Sequence, residues 1–436
     1  MALKYFGTDG IRGKALESPL TLEDVGRWGQ AWGRVARKRG ARELVVGWDP
    51  RNSSEAIAQA FLQGLGDNLE TCILGMVPTP AVAWVTLNRA NAWGLMISAS
   101  HNPPEDNGIK GFNSVGEKIE EEDEAAIEAA FDDTRPRSGK TIDLTPNVKP
   151  MKDYLASQES IDLPHDFPVV IDCAHGATAP WAPRLLHGGK IHWVGTPADG
   201  SRINVGVGST HLDNLRSEVL RLGAAVGIAF DGDGDRCLLV DSEGTVVDGD
   251  QIIWLMAQDL QSHGVEVPGV VGTLMSNGGL EEALTSLEIP FARTQVGDKF
   301  MLRELNARKW DLAAEASGHV IQKHLGPSGD GLSAAIACLK ALLRRTPQQR
   351  WVWQFRPWPL KLVNIVAPQR VPLEACSQLQ NAMEQVTLQF GSEVRMVIRW
   401  SGTEPKLRLM VEAREEATVA AVLEQLEPAA RADLGL

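Results

Sequence analysis

A disulfide framework is missing from this sequence. Its five cysteines, Cys72, Cys173, Cys237, Cys338 and Cys376, are odd in number, scattered and without a CxxC spacing, which argues against paired bridges and against a thiolate metal site. They read as small buried residues. Long apolar runs are missing too, so no segment is expected to span a bilayer. The opening Met1-Ala2-Leu3-Lys4-Tyr5-Phe6 has no apolar core followed by a cleavage site, and the expected location is the cytoplasm. Positive charge is in deficit. A formal charge of −13 disfavours non-specific binding to nucleic acid or to an anionic membrane, so an anionic substrate must be captured by locally clustered arginine and lysine.

What is present is a chain of 436 residues, too long for one core and expected to form two to four domains at about 100–200 residues each. Short apolar runs at 43–49, 71–77 and 92–100 read as buried strands, with a helix at 54–65. A second unit of the same kind has strands at 168–173, 191–195, 224–230 and 237–244; a third begins with a helix near Gly249 and has strands at 267–274, 291–296 and 311–314 and a helix at 332–343. Strands alternating with helices predict α/β layers with mixed, largely parallel sheets, whose ligands gather at strand carboxyl ends. The three units share a pattern without close identity and are possible repeats. The proline-broken stretch 344–368 reads as a linker to a small last domain with helices near 373–389 and 417–426 and strands at 393–400 and 406–413. The expected domains are 1–150, 151–248, 249–360 and 361–436.

Two segments carry most of the chemistry. Ile97-Ser98-Ala99-Ser100-His101-Asn102-Pro103 ends an apolar run and presents the Ser100 hydroxyl. Asp231-Gly232-Asp233-Gly234-Asp235-Arg236 places carboxylates at every second residue after another apolar run. Alternate side chains of extended backbone share a side, so three carboxylates at i, i+2 and i+4 can converge on one hard cation, with magnesium the expected occupant. Asp-Gly pairs also form turns, but three in succession before Arg236 exceed what a turn needs. An EF-hand would require Glu at the twelfth loop position, where Ser242 stands. A serine able to carry phosphate, a cation cage and arginine donors together make a phosphoryl-transfer centre.

Other loops fit around this pair. Lys110 follows Ser100 closely and either gives charge to a phosphate or moves a proton; alone it would read as a solvated lysine. Phe6-Gly7-Thr8-Asp9-Gly10-Ile11-Arg12-Gly13 offers Arg12 on a glycine-bounded loop, which suits a guanidinium fork on phosphate oxygens. Glu315-Ala316-Ser317-Gly318-His319 supplies donors and acceptors for sugar hydroxyls. Arg399-Trp400-Ser401-Gly402-Thr403-Glu404-Pro405-Lys406-Leu407-Arg408 concentrates hydroxyls, backbone amides and arginines between two strands, as a phosphate cradle requires. Trp28, Trp32, Trp84 and Trp93 lie in apolar surroundings and are expected in cores or domain contacts.

These loops, in this order and over almost the whole length, resemble the α-D-phosphohexomutase superfamily, and within it the bacterial branch acting on glucosamine phosphates. The resemblance implies three α/β domains and a smaller C-terminal α+β domain around a central cleft. It implies interconversion of glucosamine 6-phosphate and glucosamine 1-phosphate through a 1,6-bisphosphate, a step toward UDP-N-acetylglucosamine and cell-wall precursors, and it suggests a homodimer. Ser100 would be the phosphoserine. Asp231, Asp233 and Asp235, with a phosphate oxygen on Ser100, would hold one magnesium ion, and His101, Lys110, Arg12 and Arg236 would surround the transferring group. Glu315, Ser317 and His319 would contact the sugar, and Arg399, Ser401, Gly402, Thr403 and Arg408 the phosphate that is not reacting. Glucosamine or glucose 1,6-bisphosphate would serve as activator or intermediate.

Two departures bear on sugar choice: Ala316 stands where the superfamily has a bulkier polar residue, and Gly297-Asp298-Lys299-Phe300 replaces a Gly-Asp-Arg-Tyr pattern. Alternatives are a phosphomannomutase or phosphoglucomutase, a non-catalytic phosphosugar-binding protein and a magnesium phosphatase.

Overall fold

The structure is a computed structural model and describes residues 3–7, 9–135, 141–351, 355–401 and 405–436. Thr8, Gly402, Thr403, Glu404 and most of the turn-rich boundary expected at 134–140 lie outside the described residues. The first sheet contains β1 (Phe6–Gly7), β2 (Gly10–Lys14), β3 (Glu43–Trp48), β4 (Glu70–Met76), β5 (Ala92–Ile97) and β6 (Asp106–Phe112), in the order β1-β2-β6-β5-β3-β4. Its helices are α1 (Leu22–Lys38), α2 (Ser54–Leu65), α3 (Thr79–Leu87) and α4 (Glu121–Asp132). Local chemistry accounts for α1: Thr21 caps the Asp24 amide, acids occupy the first turn and Arg37 and Lys38 the last, matching the helix dipole. Trp28 and Trp32, four residues apart on one face, are fully buried.

The second sheet contains β7 (Ile161–Asp172), β8 (Leu186–Val194), β9 (Val226–Phe230), β10 (Cys237–Asp241) and β11 (Val246–Val247), in the order β11-β10-β9-β7-β8. The helix before it, α5 (Val148–Ser157), crosses the border expected at 150 and buries Met151 and Tyr154 in a cluster with first-unit residues. The helices α6 (Ala182–Leu185) and α7 (Asp213–Leu222) follow. The third sheet, β13-β12-β14-β15, is formed by β12 (Val270–Thr273), β13 (Phe291–Thr294), β14 (Leu312–Ala314) and β15 (Val320–Gln322). Its helices are α8 (Gly249–Ser262), α9 (Gly278–Ser286), α10 (Asp298–Arg308) and α11 (Gly331–Leu343). The second and third units share one apolar cluster, which runs from Ile161 to Phe355.

The three units repeat one arrangement. Strands β4-β3-β5-β6, β8-β7-β9-β10 and β13-β12-β14-β15 each place parallel neighbours first and an antiparallel partner last. In each, a functional loop joins the last two strands: 98–105, 231–236 and 315–319. The expected repeats are therefore real at the level of topology.

The last sheet, β16-β18-β17, is antiparallel and comprises β16 (Leu360–Val366), β17 (Val394–Trp400) and β18 (Lys406–Ala413), with α12 (Ser377–Phe390) and α13 (Glu416–Asp433). Here the expectation of a linker over 344–368 is corrected. Residues 360–366 pair with β18 along their whole length, and Phe355 is buried in the shared core. Pro357, Pro359 and Pro368 lie just outside β16, an edge strand, where a missing N–H costs the sheet nothing. Among the described residues no helix is long and apolar enough to cross a membrane. All five cysteines are free and buried.

Candidate active site

Ser100 follows the carboxyl end of β5, is 1% exposed and has a left-handed backbone, φ 53°. Its Oγ donates to Asp231 Oδ2 at 2.6 Å and lies 3.3 Å from His101 Nδ1. Asp231, Asp233 and Asp235, on the hairpin between β9 and β10, are buried, and one carboxylate oxygen from each lies within 4.8 Å of the others. The alternating glycines are needed here. A Cβ on Gly232 would come within 2.7 Å of the Ser100 carbonyl oxygen, and Gly234 has φ +73°.

Cations close in from the first sheet. Lys110 is on β6 and 1% exposed; its Nζ lies 2.8 Å from Asp233, 3.1 Å from Asp9 and 3.8 Å from Asp235. Burial opposes its charge, but these three carboxylates raise its pKa above the usual lysine value. Arg12 pairs with Asp9. It sits on β2 rather than on the glycine-bounded loop expected, because Gly10–Lys14 pairs with β6. The Arg236 amide donates to Asp231 at 3.2 Å. Burial, then Arg236 and Arg12, push the His101 imidazole down to about 4, so it is neutral at neutral pH.

The carboxylates differ among themselves. Burial and then the charges of Asp235 and Asp233 raise the Asp231 pKa well above the carboxylate range. Burial acts the same way on Asp235, but Lys110 and His319 outweigh it and hold the group low. Asp233 Oδ1, Asp235 Oδ1, Arg12 Nε and Arg236 Nε are buried without a hydrogen-bond partner. Buried carboxylate oxygens left without donors suit a hard divalent cation, so the residues present fit a metal ion.

The loop 315–319, expected to meet sugar, abuts this hairpin through a bridge between Arg236 and His319. Glu315 Oε1 accepts from the Gly297 amide at 2.9 Å, and Ser317 Oγ lies 3.4 Å from Glu315 Oε2. His319, expected to meet sugar, packs between this loop and the trio. It is 5% exposed, its Nε2 accepts from the Gly329 amide at 3.1 Å and its Nδ1 lies 3.8 Å from Asp235. The ring therefore stands beside the carboxylate trio, with Nε2 bonded to backbone. The cradle stands apart in the last sheet. Arg399 lies directly opposite Arg408, and Arg408 Nη2 is 3.4 Å from Ser401 Oγ. Burial first, then Arg408, lowers the Arg399 pKa. Two facing guanidiniums repel each other and favour an anion between them. Gly402 and Thr403 lie outside the described residues.

Sequence reasoning missed several participants. Thr79 Oγ1 donates to Asp233 at 2.6 Å, and its only local signal is its place at the start of α3. Lys118 joins Asp9 to Asp298, 2.7 Å from the latter, while Lys299 reaches Glu121 at 2.9 Å and Asn306 reaches Glu117 at 2.9 Å. The 297–300 segment, which departs from the superfamily pattern, therefore ties the third unit to the first.

Comparison with known proteins agrees with this geometry. Family models described as phosphoglucomutase/phosphomannomutase match in four consecutive parts: alpha/beta/alpha domains I, II and III over residues 3–138, 151–244 and 248–353, and the C-terminal domain over 362–429. The phosphoglucosamine mutase of Pseudomonas paraeruginosa is 42% identical, with 98% of each chain covered. That of Chromohalobacter salexigens is 40% identical with the same coverage. Among solved structures, a phosphoglucomutase/phosphomannomutase family protein from Burkholderia thailandensis shares the fold with TM-score 0.82 at 22% identity, over 99% of this chain and 98% of that one. An Aspergillus fumigatus N-acetylphosphoglucosamine mutase, solved with GlcNAc-6P and magnesium, has TM-score 0.66 at 17% identity over 99% and 96%. With all four parts present in order and full-length relatives this similar, the chain belongs to the phosphoglucomutase/phosphomannomutase family of the α-D-phosphohexomutase superfamily.

Proposed function

We propose that this chain is an isomerase that interconverts glucosamine 6-phosphate and glucosamine 1-phosphate, with Ser100 as the phosphorylated residue. The observation that carries the reading is the 2.6 Å contact between Ser100 Oγ and Asp231 within the buried trio of carboxylates. In the proposed reaction the free hydroxyl of the monophosphate attacks the phosphorus on Ser100; the P–Oγ bond breaks as a P–O bond to the sugar forms, and the hydroxyl proton is balanced by one returned to Oγ. The resulting 1,6-bisphosphate turns end over end, and Ser100 takes the other phosphoryl group.

Lys110, Arg12 and Arg236 would surround the transferring group with positive charge, which favours the negative charge spread over the phosphoryl oxygens during transfer. Neutral His101 offers a ring nitrogen beside Oγ. Asp231, Asp233 and Asp235 would hold one magnesium ion, which when bound supplies charge neutralisation at the transferring group. Glu315, Ser317 and His319 would contact the sugar and orient it through its hydroxyls. Arg399, Ser401, Gly402, Thr403 and Arg408 would grip the distal phosphate, remote binding energy that aligns the reacting end. Glucosamine or glucose 1,6-bisphosphate as activator, a cytoplasmic location, a homodimer and domain borders near 150, 248 and 360 belong to the same proposal.

The test is a coupled assay with the 1-phosphates of glucosamine, glucose and mannose. The expected outcome is the highest kcat/KM for glucosamine 1-phosphate; a clear preference for mannose 1-phosphate would replace the sugar assignment and leave the chemistry intact.

A further inference from the structure

Behind the Ser100 loop lies an arginine whose hydrogen bonds go to none of the three carboxylates. Arg51 and its partner Asp49 both have side chains with no exposure, and Arg51 Nε donates to Asp49 Oδ2 at 2.9 Å. The remaining donors of Arg51 are directed at backbone. Nη2 reaches the carbonyls of Ser100 at 3.0 Å and Asn102 at 2.8 Å, and Nη1 those of Asp106 at 2.9 Å and of Pro103. From the second unit, Asn204 Nδ2 donates to the same Ser100 and Asn102 carbonyls at 2.9 and 3.0 Å. Asp49 is held by the hydroxyls of Ser98 at 2.7 Å and Ser54 at 3.1 Å, and Ser98 Oγ accepts from the Ser100 amide at 2.8 Å.

Four carbonyls of one short segment thus converge on a single guanidinium, which leaves the opposite side of the loop to carry Oγ toward Asp231. A planar fork with five donors can hold several carbonyls in a fixed relation, which a lysine ammonium cannot. The backbone it grips is strained: Ser100 has φ 53° without being glycine, and such a conformation persists only where its surroundings over-determine it.

We infer that Arg51, assisted by Asn204, is a positioning residue for phosphoryl transfer. It holds the Ser100 backbone in its left-handed turn, so that Oγ stays aligned for the chemical step, and it takes no part in binding substrate. The inference rests on Ser100 being the phosphorylated residue.

The test uses the full-length enzyme and two variants. Arg51→Lys keeps the charge beside Asp49 but loses the fork. Asn204→Gly removes the second-unit donor while tolerating the φ of 61° found there. The expected result is a kcat lowered by about 10–100-fold in Arg51→Lys and by about 3–10-fold in Asn204→Gly, with KM within about two-fold of wild type, since small misplacements of a reacting group act on the chemical step. Wild-type kcat in both variants, or losses lying wholly in KM, would overturn it. If Arg51→Lys does not fold, Asn204→Gly decides alone. Intact mass of the wild-type protein with glucose 1,6-bisphosphate separates the two levels of argument. No phosphate adduct at Ser100 overturns the nucleophile assignment and this inference with it, whereas an adduct with unchanged variant kinetics overturns this inference only.

Discussion

The two places proposed to meet phosphate are built on different plans. Around Ser100, donors and acceptors come from β2, β6, the start of α3 and the β9–β10 hairpin, and Ser100, Thr79, Lys110 and the three aspartates are almost completely buried. In the last sheet, Arg399, Ser401 and Arg408 come from one pair of strands, and two like charges face each other. A reacting phosphoryl group needs fixed neighbours on every side, which one strand pair cannot supply. A phosphate that is only held, and that must be accepted from either end of the sugar, needs an attractive surface and little more.

The severest way to break that comparison is Ser100→Ala, expected to lower kcat by at least about 10,000-fold, as loss of a covalent nucleophile does elsewhere, and to abolish the phosphate adduct in an intact-mass measurement. Retained turnover would show that the buried site is not the reacting one. Asp233→Asn should follow, with kcat about 1,000-fold lower because a charge at the centre of the site is lost; chelation with EDTA should mimic it in the wild type and added magnesium should reverse that loss. In the cradle the expected effect is smaller. Arg408→Ala should lower kcat/KM by about 10–100-fold, the value of a charge-assisted hydrogen bond, with the phosphate adduct still forming. A loss as deep as that of Asp233→Asn would mean that the cradle takes part in the chemistry.

Thr79→Val sharpens the comparison further, since it removes the hydroxyl from Asp233 and leaves the three carboxylates in place. The magnesium concentration for half-maximal activity should rise about 10-fold, as for other groups that orient a metal ligand. The least effect on catalysis is expected from Glu412→Gln. Glu412 is fully buried between Arg395 and the Gly278 amide at 2.8 Å, where the last sheet docks on the third unit. Loss of its charge should cost about 1–3 kcal/mol, read as a lower Tm, with the kinetics of the buried centre nearly unchanged.

Much of this was legible before any coordinates. The apolar runs at 43–49 and 224–230 and the helix at 54–65 became β3, β9 and α2 with ends shifted by at most two residues, because buried strands and an amphipathic helix are local patterns. The edge strand β16 was not legible. Its side chains are mostly exposed and the prolines around it resemble a linker, so only its pairing with β18 defines it.

The same division holds at the site. Residue type and spacing were enough to expect that Ser100 and the alternating aspartates would meet, because a serine nucleophile and a hard-cation cage would demand those atoms at those intervals along the chain. Which side chains would stand behind them was decided by folding. Arg51, Thr79, Lys118, Asn204 and Asp298 act across sequence separations that no local pattern encodes, and only the packing of the second unit against the third brings the His319 ring beside Asp235. Chemistry that resides in one short segment can be read from that segment; geometry shared between segments exists only once the units have come together.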